Sequence, residues 1–258
     1  MGQHSRIEWT DSTWNPVTGC TQVSAGCDNC YALALANRRL KDIYLRQPAV
    51  RSDATSKNDP FAVRIWPDRI HEPLHWRTPR RVFVNSMSDL FHVDVPEPFV
   101  RKLFEVMLGA NQHVYQVLTK RPSRAARFVD RNKDLFPWGT VPEHIWLGTS
   151  VESQDVAHRV EHLRGAKAHI RFLSCEPLLG PIRLNLSGIH WVIAGGESGR
   201  GYRKLNIEWV RSIRDQCVQE KVPFFFKQVG GYTPKAGGRL LDGITWDQFP
   251  FLQSSATG

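Results

Sequence analysis

Three of the five cysteines in this 258-residue chain, Cys20, Cys27 and Cys30, stand within eleven residues in the spacing C-x6-C-x2-C. Thiolates suit zinc or iron–sulfur clusters. Structural zinc takes four closed ligands, usually from paired C-x2-C units. Here there is one C-x2-C, Cys175 and Cys217 lie far along the chain, and His4 could serve as a fourth ligand. Three thiols ahead of a helix also make a complete protein contribution to a [4Fe-4S] cluster with one iron open to an exogenous chelator. The spacing favours that cluster and leaves zinc as the alternative.

A second set of chemically capable residues recurs along the chain. Six short apolar runs end, in order, in Asn85-Ser86, Thr119-Lys120, Thr149-Ser150, Ser174-Cys175-Glu176, Gly195-Gly196-Glu197 and Lys227-Gln228. Parallel barrels and α/β sheets carry their chemistry at the strand C-termini, so six polar closures predict one functional rim. Lys120 could hold a carboxylate or a phosphate there, or simply be solvated. Glu176, ahead of Pro177, repeats the rim pattern and is read as functional. Cys175 is expected near the rim, where a thiol could donate a hydrogen atom, whereas Cys217 is expected in the core. The glycines around Glu197 and Ser198 permit close backbone approach to a ligand.

Those side chains need elements to position them. Ile7–Trp9 reads as a short extended segment, and a first strand is expected before Cys20. Tyr31 to Lys41 reads as one helix with a basic C-terminal end, as the macrodipole favours. Residues 46–80, punctuated by proline, read as an irregular excursion that carries substrate contacts or is an ordinary surface insertion. Thereafter apolar runs at 81–84, 114–118, 145–147, 170–173, 191–194 and 223–226 alternate with helical patterns at 97–108, 123–131, 154–163 and 206–220. Strands alternating with amphipathic helices indicate a parallel sheet covered by helices. The expected fold is α/β, a partial (β/α) barrel in one domain over residues 1–232, followed by a C-terminal extension, 233–258, read as a loosely ordered tail.

Composition narrows the partners. Thirty-four basic against 25 acidic residues leave a net charge of +9, which favours polyanions, nucleic acid above all. Arg38, Arg39, Lys41, Arg46, Arg51, Arg77, Arg80, Arg81, Arg121 and Arg124 concentrate in the first half, with Trp66 and Trp76 between them. Interleaved cations and aromatics suit phosphate tracking and base stacking, and a dispersed solvated face is the plainer alternative. No apolar run approaches a signal peptide or a membrane span, and clustered, odd-numbered cysteines do not make a secreted disulfide framework. A cytoplasmic protein without membrane contacts is expected.

The cysteine loop resembles that of the radical S-adenosylmethionine (SAM) superfamily, in a variant whose first gap is wider than the common C-x3-C-x2-C. The segments Trp14–Cys20 (WNPVTGC), Asn85–His92 (NSMSDLFH), Leu118–Pro122 (LTKRP), Trp146–Glu152 (WLGTSVE), Phe172–Leu179 (FLSCEPLL), Gly195–Gly199 (GGESG) and Phe225–Gln228 (FFKQ) resemble a phage-associated three-cysteine-motif family over residues 5–232. Their order is also similar to the spore photoproduct lyase branch, which implies a DNA or nucleotide substrate.

The resemblance implies that Cys20, Cys27 and Cys30 ligate a [4Fe-4S] cluster whose open iron chelates SAM. An electron donor such as flavodoxin or ferredoxin then drives cleavage to methionine and a 5′-deoxyadenosyl radical. It also implies SAM-binding roles along the rim. Ser86, Ser88 and Asp89 would meet the methionine amine, with a loop turn as the plain reading. Ser150 and Glu152 would meet ribose hydroxyls or that amine, with helix capping as the plain reading. Glu197 and Ser198 echo an amine-binding motif, and Lys227 and Gln228 could face SAM or substrate. The leading expectation is a radical SAM enzyme that repairs or modifies a nucleic acid or nucleotide. The alternatives are a non-catalytic zinc- or cluster-stabilised nucleic-acid-binding protein and a radical enzyme acting on a peptide or small molecule.

Overall fold

The apolar runs become strands, and all the long ones run the same way. In the computed structural model, which describes residues 5–250, the chain forms β1 (Ser12–Trp14), β2 (Val17–Thr18), α1 (Tyr31–Arg38), α2 (Lys41–Leu45), α3 (Ala54–Asn58), β3 (Arg64–Ile65) and β4 (Arg81–Val84). There follow α4 (Glu97–Gly109), β5 (Val114–Thr119), α5 (Pro122–Arg131), β6 (Ile145–Ser150), α6 (Arg159–Arg164), β7 (Arg171–Cys175) and β8 (Trp191–Gly195). The chain closes with α7 (Ile207–Gln219), β9 (Phe224–Gln228), β10 (Leu240–Leu241) and β11 (Ile244–Thr245). Seven strands form one parallel sheet in the order β1-β4-β5-β6-β7-β8-β9. Strand order follows chain order, so each crossover steps to the next neighbour and the sheet curls into a half-barrel.

Side-chain alternation separates two cores. Val82, Val84, Tyr115, Val117, Leu147, Leu173, Val192 and Phe224 face the helices and pack with Leu103, Phe104, Phe128 and Ile213. Phe83, Trp146, Phe172, Trp191, Ile193 and Phe225 form the other cluster, on the concave face, with Trp9 and Phe249. Burying one such aromatic contributes roughly 1.5–3 kcal/mol, so the concave floor is a packed aromatic layer. Gly148 is needed within it, because a Cβ there would lie 2.4 Å from the Phe172 ring.

Four local expectations change. Ile7–Trp9 forms bends and turns, and the first strand begins at Ser12. The helix from Tyr31 breaks after Arg38 into α1 and α2, because Leu40 and Tyr44 fold back onto Ala36, Phe61 and Trp66. The pattern over 154–163 yields a single 3-10 turn before α6. Residues 46–80 divide: 46–59 stay at the surface, whereas Phe61, Val63, Arg64, Trp66 and Ile70 are buried, and β3 pairs with β2 beside the cysteine loop.

The chain after Gly230 also departs from a loose tail. The Phe226 amide donates to Trp246 O at 2.9 Å, the Trp191 indole donates to Gln248 O at 2.8 Å, and Phe249 stacks 5.1 Å from Trp191. This segment covers the free edge of β9. His4 and Ser254–Gly258 lie outside the described residues. Among the described residues, no helix is long and apolar enough to cross a membrane.

Candidate functional site

The cysteine loop follows β2, a few residues beyond the C-terminal end of β1, and crosses the mouth of the half-barrel. Gly19 makes the first turn with φ +85°, where a Cβ would lie 2.1 Å from Ala62 O, so only glycine fits. The Cys20 amide then donates to Phe61 O at 3.1 Å. Cys20 and Cys30 rest on an apolar bed of Ala32, Tyr44, Phe61, Trp66 and Met87. The excursion thus supplies the wall behind the thiols. All three thiols are half-buried.

Three acidic rim residues fasten this loop from three strand ends. Asp89, after β4, accepts from Thr119 Oγ1 at 2.6 Å, the Lys120 amide at 3.1 Å and Arg121 Nη1 at 2.9 Å. Arg121 in turn donates to Thr21 O at 3.1 Å and lies 3.6 Å from Cys20 Sγ. Burial and Asp89 push the Cys20 thiol up to about 11 against the pull of Arg121. The Thr21 hydroxyl meets His92 Nε2 at 2.8 Å, while His92 Nδ1 accepts from the Asp94 amide at 3.1 Å. That acceptor assigns the neutral Nε2–H tautomer. Burial and Arg121 accordingly lower His92 to about 4.

Glu152, after β6, is the second fastening. Its Oε1 accepts from Lys120 Nζ at 2.5 Å and from the Ser24 hydroxyl, and its Oε2 accepts from Arg159 at 2.8 Å. Burial raises this carboxyl, but Lys120 and Arg159 outweigh burial and hold it below the usual range. Glu197, after β8, is the third. It accepts from Asn29 Nδ2 at 2.9 Å, and from the Arg203 amide at 2.8 Å, Nε at 3.0 Å and Nη2 at 2.6 Å. Arg203 also reaches Ala25 O at 3.0 Å and Asp28 at 3.2 Å. Burial again works against Glu197 ionisation, and the bonds from Arg203 and Asn29 prevail, lowering its pKa.

Asp89, Glu152 and Glu197 therefore have their oxygens engaged by the protein itself. They position the cysteine loop. Ser88 Oγ donates to Val17 O at 3.0 Å and Ser86 Oγ to Asn15 at 3.2 Å, while Ser86 O accepts from the Tyr31 hydroxyl. Ser150 is buried with its carbonyl on Arg159. Gln228 donates to Gly196 O at 3.1 Å, and the backbone at half-buried Ser198 bridges to Gly231.

Glu176 and Lys227 differ from these. Their charged groups lie 3.2 Å apart across the concave face. Glu176 Oε2 accepts from Ser174 Oγ at 3.3 Å, while its buried Oε1, the oxygen that Lys227 approaches, makes no hydrogen bond. A Cβ at Gly195 would sit 2.7 Å from that oxygen, so the glycine opens the space it faces. This carboxylate retains capacity to bind.

Cys175 corrects the sequence reading. It is fully buried in the helix-side core, on the opposite face from Ser174 and Glu176, and burial drives its thiol pKa far up. It cannot donate a hydrogen atom at the rim. Cys217 is core, as expected. Trp66 is also withdrawn from base stacking, being buried with Arg69 over its ring at 3.7 Å. Arg80 covers Trp76, and Arg51, Arg81 and Arg121 pair with Asp94, Asp11 and Asp89. Arg38, Arg39, Lys41, Arg46 and Arg77 stay exposed.

Among the described residues, no three His, Cys, Asp or Glu side chains are gathered into a group that could hold a metal ion. The three thiols share one fastened loop and are half-buried, and the two remaining cysteines are in the core. Sequence reasoning missed Ser24, Gly26, Asn29, Arg159 and Arg203, the residues that complete the fastening. For Ser24 and Asn29 the visible signal was a polar residue between the cysteines.

A family model described as protein of unknown function (DUF5131) matches residues 4–250. The chain belongs to the DUF5131 family. No curated protein and no solved structure matches it.

Proposed function

We propose that this DUF5131 protein is a radical SAM enzyme of the phage-associated three-cysteine-motif type, acting on a nucleic acid or nucleotide. One observation carries the reading. A C-x6-C-x2-C loop is fastened by three rim carboxylates across the C-terminal mouth of a parallel half-barrel, the end where such folds carry their chemistry.

Cys20, Cys27 and Cys30 would hold the cluster. When bound and reduced, a cluster with one open iron supplies the electron that cleaves the SAM sulfonium. The chain's own contribution is placement and exclusion of water. Asp89, Glu152 and Glu197 hold the loop, and the apolar bed behind Cys20 and Cys30 keeps water from the sulfurs. Glu176, whose Oε1 meets Lys227 but makes no hydrogen bond, can accept from an ammonium or hydroxyl group, and Lys227 balances its charge. The aromatic layer of Phe83, Trp146, Phe172 and Trp191 fills the concave face of the sheet.

The test is SAM cleavage under dithionite. The reconstituted protein should form 5′-deoxyadenosine, and Cys20→Ser, Cys27→Ser and Cys30→Ser should each abolish it while remaining folded. Equal turnover in any of the three variants would refute the ligand assignment.

A further inference from the structure

Two loops at one side of the mouth carry exposed aromatics and, Arg203 apart, cations that enter no ion pair among the described residues. The loop after β8 includes Arg200, Tyr202 and Lys204, and the loop after β9 includes Tyr232, Lys235 and Arg239. Residues 198–207 and 229–241 contain no Asp or Glu. Arg203, the remaining cation, is taken by Glu197 and Asp28. The two loops are one unit: the Gly199 amide donates to Gly231 O at 2.9 Å and the Gly231 amide to Glu197 O at 3.0 Å. Glu197 itself fastens the cysteine loop, so the unit borders the candidate active site.

Tyr202 is 42% exposed and Tyr232 72% exposed. Exposed rings on a fastened loop lose little freedom on binding, so they suit a flat partner. Arg200, Lys204 and Lys235 are exposed around them. Arg239 carries the charge inward. Its guanidinium lies 5.0 Å from the Phe225 ring, and its buried Nε and Nη2 have no hydrogen-bond partner. Phe225 and Lys227 project from the same face of β9, about 7 Å apart along the strand. The cationic edge thus runs from the surface loops toward the Glu176–Lys227 pair.

We infer that these coupled loops grip single-stranded nucleic acid, with Arg200, Lys204 and Lys235 on phosphates and Tyr202 and Tyr232 stacked on unpaired bases. The inference deepens the nucleic-acid reading proposed above and rests on it for the substrate, though not for the binding. Cations alone would accept a duplex equally well. Rings can stack only on bases free of a duplex, which selects the single strand.

The test is fluorescence anisotropy of the full chain with labelled single-stranded 15-mers of DNA and RNA and the matched duplexes, across a salt series. Single strands should bind at least ~10-fold tighter than the duplex. Tyr202→Ala and Tyr232→Ala should each weaken single-strand binding by about 5-fold or more, as loss of a stacked base does. Lys204→Gln with Lys235→Gln should lower the log–log salt slope by about 1.4, two phosphates on a single strand. The charge-matched double variant Lys102→Gln/Lys133→Gln, on exposed positions of other segments, should bind as the wild type does. Equal affinity for duplex, unchanged binding in the tyrosine variants, or an equal loss in the control would overturn the inference. The readout needs neither cluster nor SAM. Intact single-strand binding without SAM cleavage would refute the enzymatic reading alone, and SAM cleavage without binding would refute this interface alone.

Discussion

A methyl group on Gly26 would lie 2.5 Å from Oε1 of the buried Glu152 carboxylate, so the cysteine loop lies against the end of β6 because residue 26 has no side chain. Glu152 cannot move aside freely, since Lys120, Ser24 and Arg159 hold it. The candidate site is built on this contact and its two counterparts at Asp89 and Glu197.

Gly26→Ala should therefore destabilise the chain by about 1–3 kcal/mol, the usual cost of overpacking. The loss should be local. Limited proteolysis should show cleavage between Cys20 and Cys30 in the variant and protection in the wild type, with the far-UV circular dichroism unchanged. Equal protection would mean that the loop does not depend on this contact.

Glu152→Ala leaves Lys120 and Arg159 without their shared carboxylate in a buried setting. Removing one partner of a buried pair costs about 3–5 kcal/mol. Urea unfolding should report a loss of that order. Replacing both Glu152 and Arg159 with apolar residues should recover part of it, and a loss below ~1 kcal/mol in the single variant would contradict the pairing.

Acid should loosen the same region in two stages. Folded His92 titrates near 4 against 6.5 for an ordinary histidine, so between those values the unfolded chain binds more protons. Stability is full above about pH 6.5 and should fall by roughly 3 kcal/mol as pH drops to 4. Glu152 and Glu197, both held below 4.5, add stability that is present above that value and lost as pH falls through their folded pKa values. Unfolding curves across pH 7 to 3 should show both stages, and His92→Gln should flatten the upper one. An unchanged slope between pH 6.5 and 4 in that variant would remove His92 from the account.

These predictions depend on contacts that the sequence discloses unevenly. The parallel sheet was legible, because runs such as Arg81–Val84 and Trp191–Ala194 are short, apolar and separated by helical periods, and β4 and β8 follow them closely. The polar ends of those runs were legible as a rim for the same reason. The roles of the acids were not. Asp89, Glu152 and Glu197 look like ligand residues until Arg121, Arg159 and Arg203 are found on them, and such pairings depend on the tertiary fold. Cys175 failed on parity: it is one residue from both Ser174 and Glu176, so alternation turns it to the opposite face. Residues 46–80 read only as an irregular excursion because their short elements have no period, although Phe61 and Trp66 form the wall behind the thiols.

Glu176 is the acid whose buried oxygen meets only Lys227, so its variant should separate chemistry from assembly. Glu176→Gln should keep the iron content and fold of the wild type and lower turnover at subsaturating SAM at least ~10-fold, as loss of a hydrogen bond to a charged group does. Product formation across a SAM concentration series measures this. Full activity would assign Glu176 a structural role like that of Glu152.

The central claim is that three thiols on one fastened loop hold an iron–sulfur cluster with an open iron. Anaerobic reconstitution with metal and sulfide analysis, followed by electron paramagnetic resonance of the dithionite-reduced protein, tests it most directly. The account predicts about four iron and four sulfide per chain, a reduced-cluster signal that shifts on addition of SAM, and loss of both in Cys27→Ala with the fold retained. One tightly bound zinc, no iron after reconstitution, and a Cys27→Ala variant that merely unfolds would contradict it.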